Sequence, residues 1–208
     1  MKLLIYTFFT LLLGFEGYKW VAEYGDANAQ YNLGVMYDNG YGILESDAEA
    51  IKWYRLAAEQ GVAMAQYSLG VMYYNGFGIP ENYEEAIKWY RLAAAQGVAS
   101  AQYNLGVMYD DGEGVPEINT GAVKWFRLAA EQGNVDAQRR LGAMYQKGEG
   151  VPEDYAKAYA WYSIAAAQRD SAAKYSRDAL FASLTRDQKA RGQRIAAKCF
   201  ESGLRRCD

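Results

Sequence analysis

Histidine is absent from the chain. The commonest general base, the commonest metal ligand and the one side chain that titrates near neutral pH are therefore missing together. Cys199 and Cys207 are the only thiols, eight positions apart with Gly203 between them. Without histidine they cannot complete a structural zinc site. Gly203 could let the chain reverse so that the two sulfurs meet; the alternative is two separate thiols on a frayed tail. A bridge across so short a loop is worth roughly 2–3 kcal/mol in the chain-entropy picture, and it belongs to an oxidising compartment. No Ser-His or Cys-His nucleophile can be assembled. Asp110 and Asp111 fall at a helix end beside a turn, where exposed carboxylates are ordinary. Recurrent Gly-x-Gly turns follow helices, not strands, and lack the Lys-Ser/Thr of a phosphate loop. No catalytic, metal or cofactor site is expected, and the chain is read as a non-enzyme.

What positions these residues is an internal repeat. AQYNLGVMYDNGYGI from Ala29, AQYSLGVMYYNGFGI from Ala65, AQYNLGVMYDDGEGV from Ala101 and AQRRLGAMYQKGEGV from Ala137 align without gaps at an offset of 36. Each is followed by a second block, beginning at Ala50, Ala86, Ala122 and Ala158. Both blocks read as helices. Ala29, Leu33, Met36 and Tyr37 form one apolar stripe on the first, and Ala50, Trp53, Tyr54, Ala57 and Ala58 form one on the second. Gly40 and Gly42, with their counterparts, end the first helix and turn the chain back. Ser46 with Glu49 and Asn82 with Glu85 read as capping boxes for the second helix. The third repeat has Ile118 and Gly121 instead, so its second helix is expected to start late, at Asn119 or Thr120, and to fray. The series Trp53, Trp89, Trp125 and Trp161 is read as interior packing. Gln30, Gln66, Gln102 and Gln138, one per repeat, are read as structural hydrogen-bonding groups whose partner atoms the sequence does not reveal.

The Ala-x-x-x-Leu-Gly-x-x-Tyr, Gly-x-Gly-Val and Ala-x-x-Trp-x-x-x-Ala-Ala elements resemble the Sel-like (Sel-one) repeat family, relatives of the tetratricopeptide repeats. The resemblance covers about residues 18–170. It implies an all-α fold, a right-handed α/α superhelix of four full repeats with a concave inner face, and a role in holding other proteins. It also implies which residues line that face. The matching register gives Asn28, Tyr31, Val35, Asp38 and Asn39, then Met64, Tyr67, Val71, Tyr74 and Asn75. The third repeat gives Ser100, Tyr103, Val107, Asp110 and Asp111, and the fourth Asp136, Arg139, Ala143, Gln146 and Lys147. Helix geometry supports this in part, because residues 31, 35 and 38 form a stripe beside the core stripe. Tyrosines at such positions suit an extended segment or a helix of a partner protein. A glycan or cell-wall ligand is the alternative. A β-lactam-active enzyme is the third reading, disfavoured because the secreted members associated with that chemistry carry a cysteine pair in each repeat.

Outside the four repeats the pattern changes. Tyr18 to Gly25 aligns with Tyr54 to Gly61 and is read as a half-repeat. Residues 1–17 have one early charge, Lys2, and then an uncharged stretch from Leu3 to Phe15. That is the length of a signal-peptide core and short for a membrane span. The protein is therefore expected to be exported, periplasmic or secreted, with cleavage or retention as an anchor left open. Residues 171–208 read as capping helices and a tail, with Thr185 and Gln188 boxing the start of a last helix that covers the open end of the stack. Residues 169–208 carry ten Lys/Arg against five Asp/Glu, a net of +5 within a chain of net −3. The overall sign gives no general attraction to nucleic acid. The expected partner is a protein or peptide.

Overall fold

A computed structural model describes residues 15–204 and Cys207. The signal-like reading of residues 1–14 lies outside the described residues, and no described helix is long and apolar enough to cross a membrane. Helix is the only regular structure among the described residues. It comprises α1 (residues 15–23), α2 (Ala27–Asn39), α3 (Asp47–Glu59), α4 (Ala63–Asn75), α5 (Tyr83–Ala95), α6 (Ala99–Asp111), α7 (Asn119–Glu131), α8 (Val135–Lys147), α9 (Tyr155–Ala167), α10 (Ser171–Ser183) and α11 (Arg186–Glu201). The chain forms two compact units, one ending at Val98 and the other starting at Ala99. The boundary drawn from sequence between residues 17 and 18 falls inside α1, where Phe15 rests edge-on against Tyr37.

Repeats 1 to 4 are the pairs α2/α3, α4/α5, α6/α7 and α8/α9, and the two helices of each pair pack on one another. The first helix of each repeat is here called helix A and the second helix B. Leu33, Leu69, Leu105 and Leu141 are fully buried on helix A, opposite Ala50, Ala86, Ala122 and Ala158 on helix B. The glycine that follows each leucine sets the closest approach. A Cβ built on Gly70 would stand 2.5 Å from the Tyr90 ring, and one on Gly106 would stand 2.5 Å from Phe126. Gly34 meets Tyr54 and Gly142 meets Tyr162 in the same way. The Leu-Gly pair is thus one device, a plug beside a slot for the aromatic ring of helix B.

Helix A ends at a left-handed glycine. Gly40, at φ 68°, and Tyr41 both donate to the Met36 carbonyl. The turn then delivers the backbone N–H of Ser46 to the Tyr37 carbonyl at 2.9 Å. Asn82, Ile118 and Asp154 donate to Tyr73, Tyr109 and Tyr145 in the same register. This corrects the capping boxes expected in repeats 1 and 2. Ser46 and Asn82 do accept from the N–H of Glu49 and Glu85. The reciprocal half is missing because the cap N–H is already engaged, and Glu49 and Glu85 pair instead with Lys52 and Lys88. That same backbone bond sets the start of helix B in the third repeat at Asn119, the earlier of the two expected starts, which is in register and not late. α7 begins at Asn119, in register with its sisters and equally long at 13 residues, although Ile118 supplies no side-chain cap. Helix A has caps of its own in Asp26, Asn134 and Asp170, which accept from the N–H three residues on.

The tryptophans divide. Trp53 and Trp161 are buried, whereas Trp89 and Trp125 are half-buried. Gln30, Gln66 and Gln138 find two partners each. Gln30 donates to the Ala22 carbonyl on the preceding helix at 3.1 Å and accepts from Gln60 at the end of its own helix B at 2.7 Å. Gln66 does the same with Ala58 and Gln96, and Gln138 with Ala130 and Gln168. An amide buried between layers is tolerable only because both ends are bonded.

Past repeat 4, α10 packs on α9 as a further helix A would. The last helix does not follow the pattern. α11 packs mainly on α9 and so lies along repeat 4, with its Lys189 over the Phe181 ring of α10 at 4.7 Å. The reason is legible in α9. In repeats 1 to 3 the outer stripe of helix B reads Ala48-Lys52-Leu56, Glu84-Lys88-Leu92 and Thr120-Lys124-Leu128, with all three lysines exposed. In α9 it reads Ala156-Ala160-Ile164, and all three are buried. Gly192 of α11 brings its backbone against Tyr159 and the Ala156 carbonyl, and Arg191 grips Asp154 through two bonds of 2.8 and 3.1 Å. Cys199 and Cys207 are both buried with their sulfurs at bonding distance and their Cα atoms 4.5 Å apart, inside the range of a disulfide.

Candidate functional site

The residues expected to line the inner face sit on helix A, off the stripe that packs against helix B. Tyr31, Tyr67 and Tyr103 are half-buried, and each is backed by the ring that fills the glycine slot. Ring centroids are 5.8 Å apart for Tyr31 and Tyr54, 5.9 Å for Tyr67 and Tyr90, and 5.7 Å for Tyr103 and Phe126. One face of each tyrosine is therefore held by the core while the other side stays open, which limits the rotamer freedom that binding would remove. Val35, Val71 and Val107 stand one turn further on, also half-buried. Asn28 and Met64 are exposed at the helix starts.

Several polar members of the set are engaged within the protein. Asp38 accepts from the Tyr54 hydroxyl at 3.0 Å. Burial first, and then the Asp38 charge, raise the Tyr54 phenol above its ordinary value, and the same two causes raise Tyr31. Asn39 and Asn75 are exposed, yet each amide donates back to a carbonyl of its own helix, Val35 and Val71, at 2.9 and 2.8 Å. Tyr74 stacks with Tyr83 at 5.5 Å. In repeat 4 Gln146 accepts from the Tyr162 hydroxyl at 3.0 Å, and Lys147 pairs with Glu149 at 3.4 Å. Arg139, in the tyrosine position of that repeat, is held by Asp136 at 2.6 Å and by Asp170 at 3.6 Å, so it ties α8 to the cap of α10. Asp110 pairs with Arg140 at 3.5 Å, and Asp111 is exposed.

One residue of the same register escaped the sequence reading. Tyr175 on α10 lies two repeat lengths beyond Tyr103 and is 78% exposed. The signal was the offset of 36 carried past the last recognisable repeat. Its exposure follows from the fold: α11 sits on α9, so α10 has no helix B of its own to set a ring behind Tyr175. Lys52 and Lys88 on helix B are exposed.

The comparisons with known proteins agree with this geometry. The Sel1 repeat family model matches residues 27–62, 63–98, 99–134 and 135–170. Among solved structures, the chain is similar to c5321, a protective antigen of uropathogenic Escherichia coli strains displaying an SLR fold. Identity is 45% over 77% of this chain and 34% of that one, with a TM-score of 0.75. A Sel1 repeat protein from Oxalobacter formigenes shares 38% identity over 80% of this chain and 48% of its own, with a TM-score of 0.73. The immunity protein PA5088 of Pseudomonas aeruginosa, 21% identical with a TM-score of 0.52, shares the fold alone. No curated protein matches. The chain spans about a third and about half of the length of the first two structures.

Proposed function

The chain belongs to the Sel1 repeat family, and from that premise we propose that it is an exported adaptor that captures a partner protein or peptide on the helix A face. Sel1 repeat proteins generally mediate protein–protein interactions, and the scaffold is typically non-enzymatic. The observation that carries the reading is the tyrosine series. Tyr31, Tyr67 and Tyr103 recur at one register, half-open, each with a rigid ring behind it. Large amphipathic side chains on a preorganised backing are what interface hot spots are made of. Export is supported by the uncharged segment after Lys2 and by two buried cysteines at bonding distance, which fit an oxidising compartment. We assign Cys199 and Cys207 to a disulfide on the same grounds.

The test is a crosslinked capture from envelope extract with Tyr67 and Tyr103 both changed to Ala. Capture should weaken by roughly thirtyfold to a thousandfold, the equivalent of about 2–4 kcal/mol, while helical circular dichroism is retained. Lys52→Ser with Lys88→Ser is the control and should change little. If the lysine pair abolishes capture and the tyrosine pair does not, the partner sits on helix B and the assigned face is wrong. A reporter fused to residues 1–25 that stays in the cytoplasm would remove the exported half of the proposal.

A further inference from the structure

Repeats 1 and 4 treat one helix A position alike. The hydroxyl on the ring of helix B donates to it, Tyr54 to Asp38 and Tyr162 to Gln146, each at 3.0 Å. Repeat 3 keeps the acceptor and lacks the donor, because Asp110 faces a repeat whose ring is Phe126. Among the described residues, the partner of the Asp110 carboxylate is the Arg140 guanidinium at 3.5 Å, an ion-pair distance too long for a good hydrogen bond. The side chain is only 18% exposed, so water replaces the lost hydroxyl poorly. Asp110 lies on the same helical face as Tyr103 and Val107. The charged groups that act on it are Arg140 and Lys147 against Asp111 and Glu149. With Asp110 itself that makes three acids to two bases, one negative charge in excess. Burial, with Asp111 and Glu149, lifts its carboxyl above the ordinary value against the pull of Arg140 and Lys147, as expected of an acid short of donors.

We propose that Asp110 selects the partner: the bound segment is a peptide with a lysine or arginine side chain, whose N–H donors take the place at Asp110 that the Tyr54 hydroxyl takes at Asp38. Apolar neighbours of that cation lie over Tyr103 and Val107. The inference rests on the peptide-binding reading above and adds the chemistry of what is bound.

The probe is a displayed library of random dodecapeptides panned on the full chain, with Tyr103→Ala as the reference for binding at this face. Selected peptides should carry Lys or Arg at one position next to apolar residues. Phe126→Tyr supplies the missing hydroxyl, and the fold accepts it because the other three repeats carry Tyr there. On that variant the cationic preference should vanish while the apolar preference remains. A selected peptide should bind about tenfold more weakly. Replacing its cation by norleucine should cost a similar factor on the wild type and little on Phe126→Tyr. Binders that depend on Tyr103 but show no cationic preference overturn the inference and leave the peptide-binding reading standing. So does a preference unchanged in both Phe126→Tyr and Asp110→Asn. A library that yields no binder dependent on Tyr103 overturns both.

Discussion

The smallest unit of this fold is a glycine and the ring that lies against it. Gly34, Gly70, Gly106 and Gly142 have no Cβ because the aromatic ring of helix B occupies that space. Gly70→Ala is therefore an overpacking change in a fully buried layer, expected to cost about 1–3 kcal/mol, measurable by urea denaturation. A cost below a few tenths would mean that Tyr90 swings aside freely. The Tyr54 hydroxyl gives a second handle. Its folded-state proton is held above the ordinary value of 10.0 by burial and by Asp38. The unfolded chain gives that proton up first, so the stability it contributes is present below that pH and is lost as pH rises beyond it. The midpoint of thermal unfolding should fall steeply on the alkaline side, and Tyr54→Phe should flatten the fall. An identical alkaline slope in the two proteins would refute the assignment. At this scale the sequence said which residues matter and not what they touch. The recurrence of Gln30, Gln66, Gln102 and Gln138 marks a structural role, but the carbonyls of Ala22, Ala58 and Ala130 are partners only once the helices are layered.

At the scale of the helix, one substitution redirects an element. Lysine in the middle of the outer stripe keeps helix B of the first three repeats in water, and Ala160 in that place lets α11 dock on α9. Ala160→Lys should undock α11 without unfolding the repeats. The expected readout is new proteolytic cleavage between Leu184 and Gly203, with most of the helical signal retained; protection equal to the wild type would show that α11 is held by other contacts. The boundaries of the repeat helices were legible because the glycine turn and the alanine-rich pairs recur four times. The docking of α11 was not, because its signal is an alanine where lysine was the rule, and an alanine carries no address. The expectation for α7 named the observed first residue, Asn119, but took that start to be late. It weighed the missing side-chain cap and could not see the Ile118 to Tyr109 backbone bond that sets the register.

For the molecule as a whole, the period alone sufficed for the class of fold, since four gapless copies can be buried only against one another. The candidate site was legible in outline. The tyrosines could be placed from the register, whereas the engagement of Asp38, Asn39, Asn75 and Arg139 by neighbours within the protein depends on distances no sequence carries. The series also ran one helix further than expected, to Tyr175.

Where the other helices A carry Leu-Gly, α10 carries Arg177 and Asp178, joined to each other at 2.7 Å. A Cβ at the glycine of that pair already collides with an opposing ring in every repeat. Asp178 therefore leaves α10 without the slot that receives the ring of a helix B. The pair is expected to act as a chain terminator in the polymer chemist's sense, denying a further layer its seat on α10. Arg177→Leu with Asp178→Gly should revive that end. Sedimentation velocity should then find concentration-dependent, open-ended oligomers, the expected product of a head-to-tail contact that does not close. A double variant that sediments like the wild type at every concentration would show that growth is stopped elsewhere.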